Sequence, residues 1–93
     1  MDYEYDPTKN DRNRVRHGIP LSDAEFFEWD TAIVREDGRY PYEEQRFEAT
    51  GLIGDQLHIM IYCERHSATR IISLRKADNR EKKRYEREIL NTA

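Results

Sequence analysis

Ninety-three residues with a single cysteine and a net charge of -3 describe one small domain, residues 1–93. Cys63 has no internal partner, which excludes a secreted disulfide scaffold and suits a reducing compartment. No apolar run approaches the ~18 residues of a membrane span, and Met1-Asp2-Tyr3-Glu4 lacks the basic and apolar regions of a signal peptide, so the chain is expected to be cytoplasmic. Leu, Ile, Val and Phe number only 18, yet the 38% of charged residues mix both signs, as in a folded domain with a thin core and a charged surface. The balance is uneven along the chain. Residues 1–45 carry 12 Asp/Glu against 6 Lys/Arg, and residues 46–93 carry 10 Lys/Arg against 7 Asp/Glu. Contact with a polyanion is therefore expected of the C-terminal half, unless these charges merely solvate the surface.

In chain order, Tyr3-Glu4-Tyr5 alternates as a short edge strand would. Asp6-Pro7 opens a helix, with Asp6 as N-cap and Pro7 in the first turn, and His17-Gly18 closes it. Val15 is its main apolar residue, so it should lie at the surface. A second helix is expected from Ser22 to about Trp29, opened by a Ser22/Glu25 capping box and a Leu21/Phe26 staple. With Ala24, Phe26, Phe27 and Trp29 it should dock on a sheet, Trp29 serving as a buried anchor. Strands follow at 31–35, 45–53, 57–64 and 69–74, with breaks at Asp37-Gly38, Pro41 and Gly54-Asp55. Asp78 and Glu81 form the capping box of a final basic helix with a narrow stripe of Tyr85, Ile89 and Leu90. The order β-α-α-β-β-β-β-α means α+β, a small antiparallel sheet packed against helices.

Alternation in the third of these strands places Leu57, Ile59, Ile61 and Cys63 on one face, which the second helix is expected to cover. The other face would then gather Arg46, Glu48, His58, Tyr62 and Glu64, with Arg75 at the strand end and Arg65 and Arg70 beside the connecting turn. Such a surface has cations for a phosphate, aromatic rings for stacking bases and carboxylates for proton transfer. These groups suffice to cleave RNA without metal: a base activates the ribose 2′-hydroxyl, cations stabilise the transition state and an acid protonates the leaving oxygen. Antiparallel sheets also commonly present a polar face that is only solvated. His17, His58 and His66 lack metal-clamp spacing and the scattered glycines form no phosphate loop, so neither a metal nor a cofactor is expected.

Several segments in order resemble the BrnT family. Tyr5-Asp6-Pro7-Thr8-Lys9-Asn10, Asn13 and Arg16-His17-Gly18 are similar to its opening, and Ser22-Asp23-Ala24 and Phe27 to the helix that follows. Tyr42, Glu44, Arg46 and Gly51 resemble its central segment. Arg65 and residues 70–77 resemble its closing motif, and Glu81 and Tyr85 its last helix. Leu74 stands where the family has a smaller residue, and Arg16 where it has Lys. The resemblance implies a RelE-like fold, a ribonuclease toxin that arrests translation, and a BrnA-like antitoxin that neutralises it in a hetero-oligomer and alone contacts operator DNA. Arg46, Arg70 and Arg75 match motif positions and are expected to bind phosphate and stabilise the transition state, with Glu44 or Glu64 as base. Arg65, Lys76, Tyr62 and His58 are expected to contact RNA. His17 is a motif residue that also fits a structural helix end. The alternative is a non-catalytic module that acts only by binding a DNA-binding partner. Either way the acidic N-terminal half, with Asp11 and Glu28, is expected to meet a basic partner.

Overall fold

A computed structural model describes residues 2–39 and 44–92; Pro41 and Tyr42 lie outside the described residues. Five strands, β1 (Asp2–Glu4), β2 (Phe27–Glu36), β3 (Phe47–Ile53), β4 (Gln56–Arg65) and β5 (Ala68–Lys76), form one sheet in the order β1-β5-β4-β3-β2. The pairs from β2 to β5 are antiparallel, while β1 runs parallel to β5, which makes the sheet mixed. Helix α1 (Pro7–His17) follows β1, a 3-10 helix (Leu21–Phe26) precedes β2, and α2 (Asn79–Thr92) ends the chain.

The ends of α1 follow the local chemistry. Asp6 accepts from the Thr8 and Lys9 amides, and Gly18 adopts φ 76° while its amide bonds the Arg14 carbonyl. Those amides hold the Asp6 carboxyl below its usual range. In α2 the capping box forms as expected: the Glu81 amide donates to Asp78 Oδ1 at 2.8 Å and the Asp78 amide to Glu81 Oε1 at 2.9 Å.

The second helix differs from expectation. Only six residues, Leu21–Phe26, are helical, in 3-10 form, and Phe27 already begins β2. Ser22 caps nothing, and its amide instead donates to Asn10 Oδ1 at 3.0 Å. Trp29 is therefore a strand residue, half-buried, edge-on to Phe27 and Tyr62.

The assignment of faces also changes. Pairing aligns Phe47 with Tyr62, Ala49 with Met60 and Gly51 with His58. That face packs with Ile19, Leu21, Ala24, Phe27, Ile71 and Leu74 under the elements between β1 and β2, and forms the larger core. The opposite face, with Leu57, Ile59 and Ile61, packs with Ala77, Leu52, Ile72 and Tyr85 beside and beneath α2. The central strand β4 is thus buried on both sides, and the His58, Met60 and Tyr62 positions are interior.

The edge of β5 positions the rest. β1 pairs only with residues 68–70, so β5 is uncovered beyond that point. There α1 takes the place of a strand. The buried Asn13 side chain donates to the Leu74 and Ile19 carbonyls, each at 2.7 Å, and accepts from the Leu74 amide at 3.4 Å. These bonds satisfy edge groups that the sheet leaves open, and they bring the last turn of α1 to the rim of the α2 face. A β-bulge in β5 opposite Ile61/Tyr62 adds a residue there, so Ile72 and Ser73 both border the same hollow.

Candidate active site

On the α2 face, beside rather than under that helix, lies a cleft of about 270 Å³. Its floor is Ile59, Ile61 and Ile72, supplied by β4 and the bulge of β5. Arg16 and His17 enter from the C-terminal turn of α1, Arg39 and Arg46 from the segment between β2 and β3, and Arg75 from the end of β5. Glu48 is the carboxylate on its wall.

Several of these side chains are held by their neighbours. Arg75 makes a two-pronged pair with Glu81 at the start of α2, at 2.8 and 2.9 Å. The Arg75 guanidinium draws the Glu81 carboxyl down to about 2, while Glu81 holds Arg75 more firmly protonated. Glu48 accepts from Arg84 of α2 at 3.1 Å. Arg39 forks onto the buried Asp37 at 2.8 and 3.1 Å and keeps that carboxyl ionised below its usual range. The Asp37 amide donates to the Arg46 carbonyl at 2.8 Å, which fixes the base of this segment. His17 is half-buried, and burial, then the charges of Arg16 and Arg75, push its pKa below the usual imidazole value of 6.5. The imidazole is therefore neutral at neutral pH, in a cleft lined by four arginines.

The residues expected to form a site from the sequence divide into three sets. Arg46 and Arg75 come together in the cleft, with Glu48 between them in the sheet. Tyr62 and His58 do not reach any open surface: they are 6% and 3% exposed on the opposite face, where His58 Nδ1 lies 2.9 Å from the Gln56 carbonyl. The reason is register. Glu48 pairs with Ile61, not with Tyr62, and an offset of one residue sends a side chain through to the other face. Glu64 shares the Tyr62 face, accepting from Thr69 Oγ1 at 3.3 Å.

The remaining candidates lie outside the cleft. Glu44 is engaged by Arg65, whose Nε donates at 2.8 Å, and that pairing holds the Glu44 carboxyl below its usual range. Cys63 beneath them is buried, and burial and the Glu44 charge raise its thiol. Arg70 faces Glu4 across the β1–β5 pair at 3.8 Å. Lys76 is exposed at the end of β5. Arg39 carries no motif in the sequence, whereas Arg16 and His17 stand there both as residues of the family-like opening and as a helix end. The signal for the last two is the Arg16-His17-Gly18 ending of the family-like opening.

An apolar floor ringed by guanidinium groups, with one neutral imidazole, can seat a phosphodiester and exchange a proton with it. Among the described residues no group of three or more His, Cys, Asp or Glu side chains could hold a metal ion, and no helix is long and apolar enough to cross a membrane. The fold and the cleft thus define a small α+β protein with an arginine-lined cleft, whose charge suits an anionic ligand. Residues 5–81 match the family model for the ribonuclease toxin, BrnT, of type II toxin-antitoxin systems, and the chain belongs to that family. Its counterpart in such a module is an antitoxin. No curated protein matches the chain at a significant level.

Proposed function

We propose that the cleft between α1 and α2 is where this toxin cleaves RNA, without a metal ion, and that the cleavage arrests translation until a DNA-binding, BrnA-like antitoxin neutralises it. The carrying observation is the convergence of His17 with Arg16, Arg39, Arg46 and Arg75 on one hollow. In this reading neutral His17 takes the proton from the ribose 2′-hydroxyl as its oxygen attacks phosphorus. The proton returns to the departing 5′-oxygen, and the products are a 2′,3′-cyclic phosphate and a free 5′-hydroxyl. Arg75, held in plane by Glu81, and the neighbouring arginines meet the charge that builds on the non-bridging oxygens. Arg70, Arg65 and Lys76 lie farther along the chain's surface and serve, in this reading, to guide the strand rather than to react. Glu44 pairs with Arg65 and Glu64 accepts from Thr69 outside the cleft, so this reading assigns the base to His17 instead.

The test is cleavage of single-stranded RNA by purified protein in excess chelator, with mass analysis of the ends. Arg75→Ala and His17→Gln should each lower the rate about 10²-fold or more, the range of a lost proton-transfer or charge-stabilising group. The wild-type rate should fall on acidification with a midpoint below 6.5, because protonated His17 cannot act as base. His17→Gln should remove that limb. Chelator-sensitive cleavage, or full activity in both variants, overturns the site. Folded wild-type protein that cleaves no RNA would leave the chain as a binding module.

A further inference from the structure

The face opposite the cleft carries a second hollow of different chemistry. It is a groove of about 780 Å³ lined by Tyr3, Tyr5, Phe27 and Trp29, with Asp2 and Glu25 among its polar residues. Its rings are fixed before any ligand arrives. The Trp29 indole donates to Tyr3 Oη at 2.6 Å, and its ring stands edge-on to Phe27 at 4.9 Å and to Tyr62 at 5.3 Å. Tyr3, Tyr5 and Trp29 are only half-buried, so part of each ring remains available. Asp2 and Glu25 are exposed, and no Lys or Arg lines the groove.

The surroundings continue the pattern. The 3-10 helix beside the groove, Leu21–Phe26, holds two carboxylates, Asp23 and Glu25, and no basic residue. Phe26, next to Glu25, is 58% exposed and offers apolar surface. The acidic N-terminal half is expected to meet a basic partner, with Asp11 and Glu28 as its candidates; Asp11 is exposed on α1 and shares its charge with Arg14 at 3.2 Å, and Glu28 is exposed on β2. The groove is the better receptor. Fixed aromatic faces bordered by carboxylates suit a guanidinium, which stacks on the ring and forks onto the acid. The same carboxylates repel a phosphate chain, so the groove and the cleft select ligands of opposite sign.

We propose that the groove of Tyr3, Tyr5 and Trp29, with Asp2 and Glu25, is the docking site for an arginine-bearing segment of the antitoxin. The proposal rests on the chain's place in a two-component module. It separates two tasks on two faces: the antitoxin anchors here, and must pass around an edge of the sheet to cover the cleft.

The experiment uses full-length toxin, labelled with nitrogen-15, and the antitoxin encoded beside it, unlabelled. Trp29 is the chain's only tryptophan, so its indole N–H reports the groove as a single resonance. Antitoxin should shift that resonance. Glu25→Lys and Asp2→Lys should each weaken binding by at least about fivefold at low salt, the scale of one exposed ion pair lost, and the deficit should shrink as salt is raised. Free Glu25→Lys protein should cleave RNA at the wild-type rate, because the residue lies on the face away from the cleft. Tight binding by the folded double variant with an unmoved Trp29 resonance overturns the proposal. Failure of the wild-type chain to bind antitoxin at all overturns the module reading and the proposal together.

Discussion

Asn13 shows how much one buried amide decides. Its side chain makes three hydrogen bonds that tie α1 to β5 and to the turn after the helix, and it is 7% exposed. Asn13→Ala would leave the Leu74 groups and the Ile19 carbonyl without their partner, each a buried polar group whose desolvation goes uncompensated. The expected loss is about 2–3 kcal/mol in denaturant unfolding, with the C-terminal turn of α1 set loose from the sheet edge. Gly51 is constrained in the opposite sense, by space. A Cβ built there would sit 2.6 Å from the Phe27 ring, whose edge cannot retreat because it is packed against Trp29. Gly51→Ala is therefore expected to destabilise by about 1–3 kcal/mol, the usual range for overpacking. Pairing Phe27→Leu with it should recover part of that loss. A neutral Gly51→Ala in urea unfolding would show that the ring is free to move.

At the scale of elements, α2 is bound to the sheet as much by charge as by its narrow apolar stripe. Arg75 meets Glu81, Glu48 meets Arg84, and Arg35 meets Glu88 at 2.6 Å. Of these, Glu81 is the least exposed, at 14%, and its carboxyl is drawn from 4.5 to about 2. A carboxylate whose folded pKa is depressed adds stability that is complete above its unfolded value and fades as pH falls through the folded one. The window is pH 4.5 down to about 2. Arg75 is 35% exposed, so solvent screening trims the contribution to about 1–2 kcal/mol. Glu81→Gln keeps a capping oxygen for the Asp78 amide but loses the charge. It should lower stability by about that amount at neutral pH and flatten the acid dependence in that window. An unaltered pH profile by thermal unfolding would mean the pair contributes nothing net.

The same element explains what was legible in the sequence. The ends of α1 and the capping box of α2 depend on residues within four positions, so Asp6-Pro7, Gly18 and Asp78/Glu81 could be read directly. The 3-10 helix was misjudged because Ser22 looks like a cap only until Asn10 is seen to hold its amide. The faces of the sheet were harder still. Alternation along β4 is as the sequence indicates, but which helix lies on which face depends on tertiary packing: α2 covers the Leu57, Ile59 and Ile61 side expected to lie under the second helix, and Leu21 and Ala24 of the 3-10 helix cover the side expected to be open. Arg46 and Arg75 line one cleft, as cations near strand ends on one face can, whereas His17 joins them only because β1 is too short to cover β5.

Across the whole molecule the two faces differ in charge more than the net of -3 suggests. The cleft is lined by four arginines, and the aromatic groove has carboxylates and no cation. Binding of a single-stranded RNA releases counterions from each phosphate that a cation neutralises, and the logarithm of affinity falls with that of salt by about 0.7 per contact. If the cleft alone holds the strand, four contacts set a ceiling near a slope of about -3. Exposed Arg80, Lys82, Lys83 and Arg87 on α2 could extend the track and steepen it. The cleft reading therefore predicts a slope between about -1.5 and -3 for binding of a non-cleavable RNA analogue, measured by fluorescence anisotropy across a salt series. Arg75→Ala should make it shallower by about 0.7, while an Arg80→Ala/Arg87→Ala pair should leave it unchanged. A steeper wild-type slope that relaxes only in the α2 pair would move the RNA track from the cleft to the basic side of α2, and the arginine ring would then need another role.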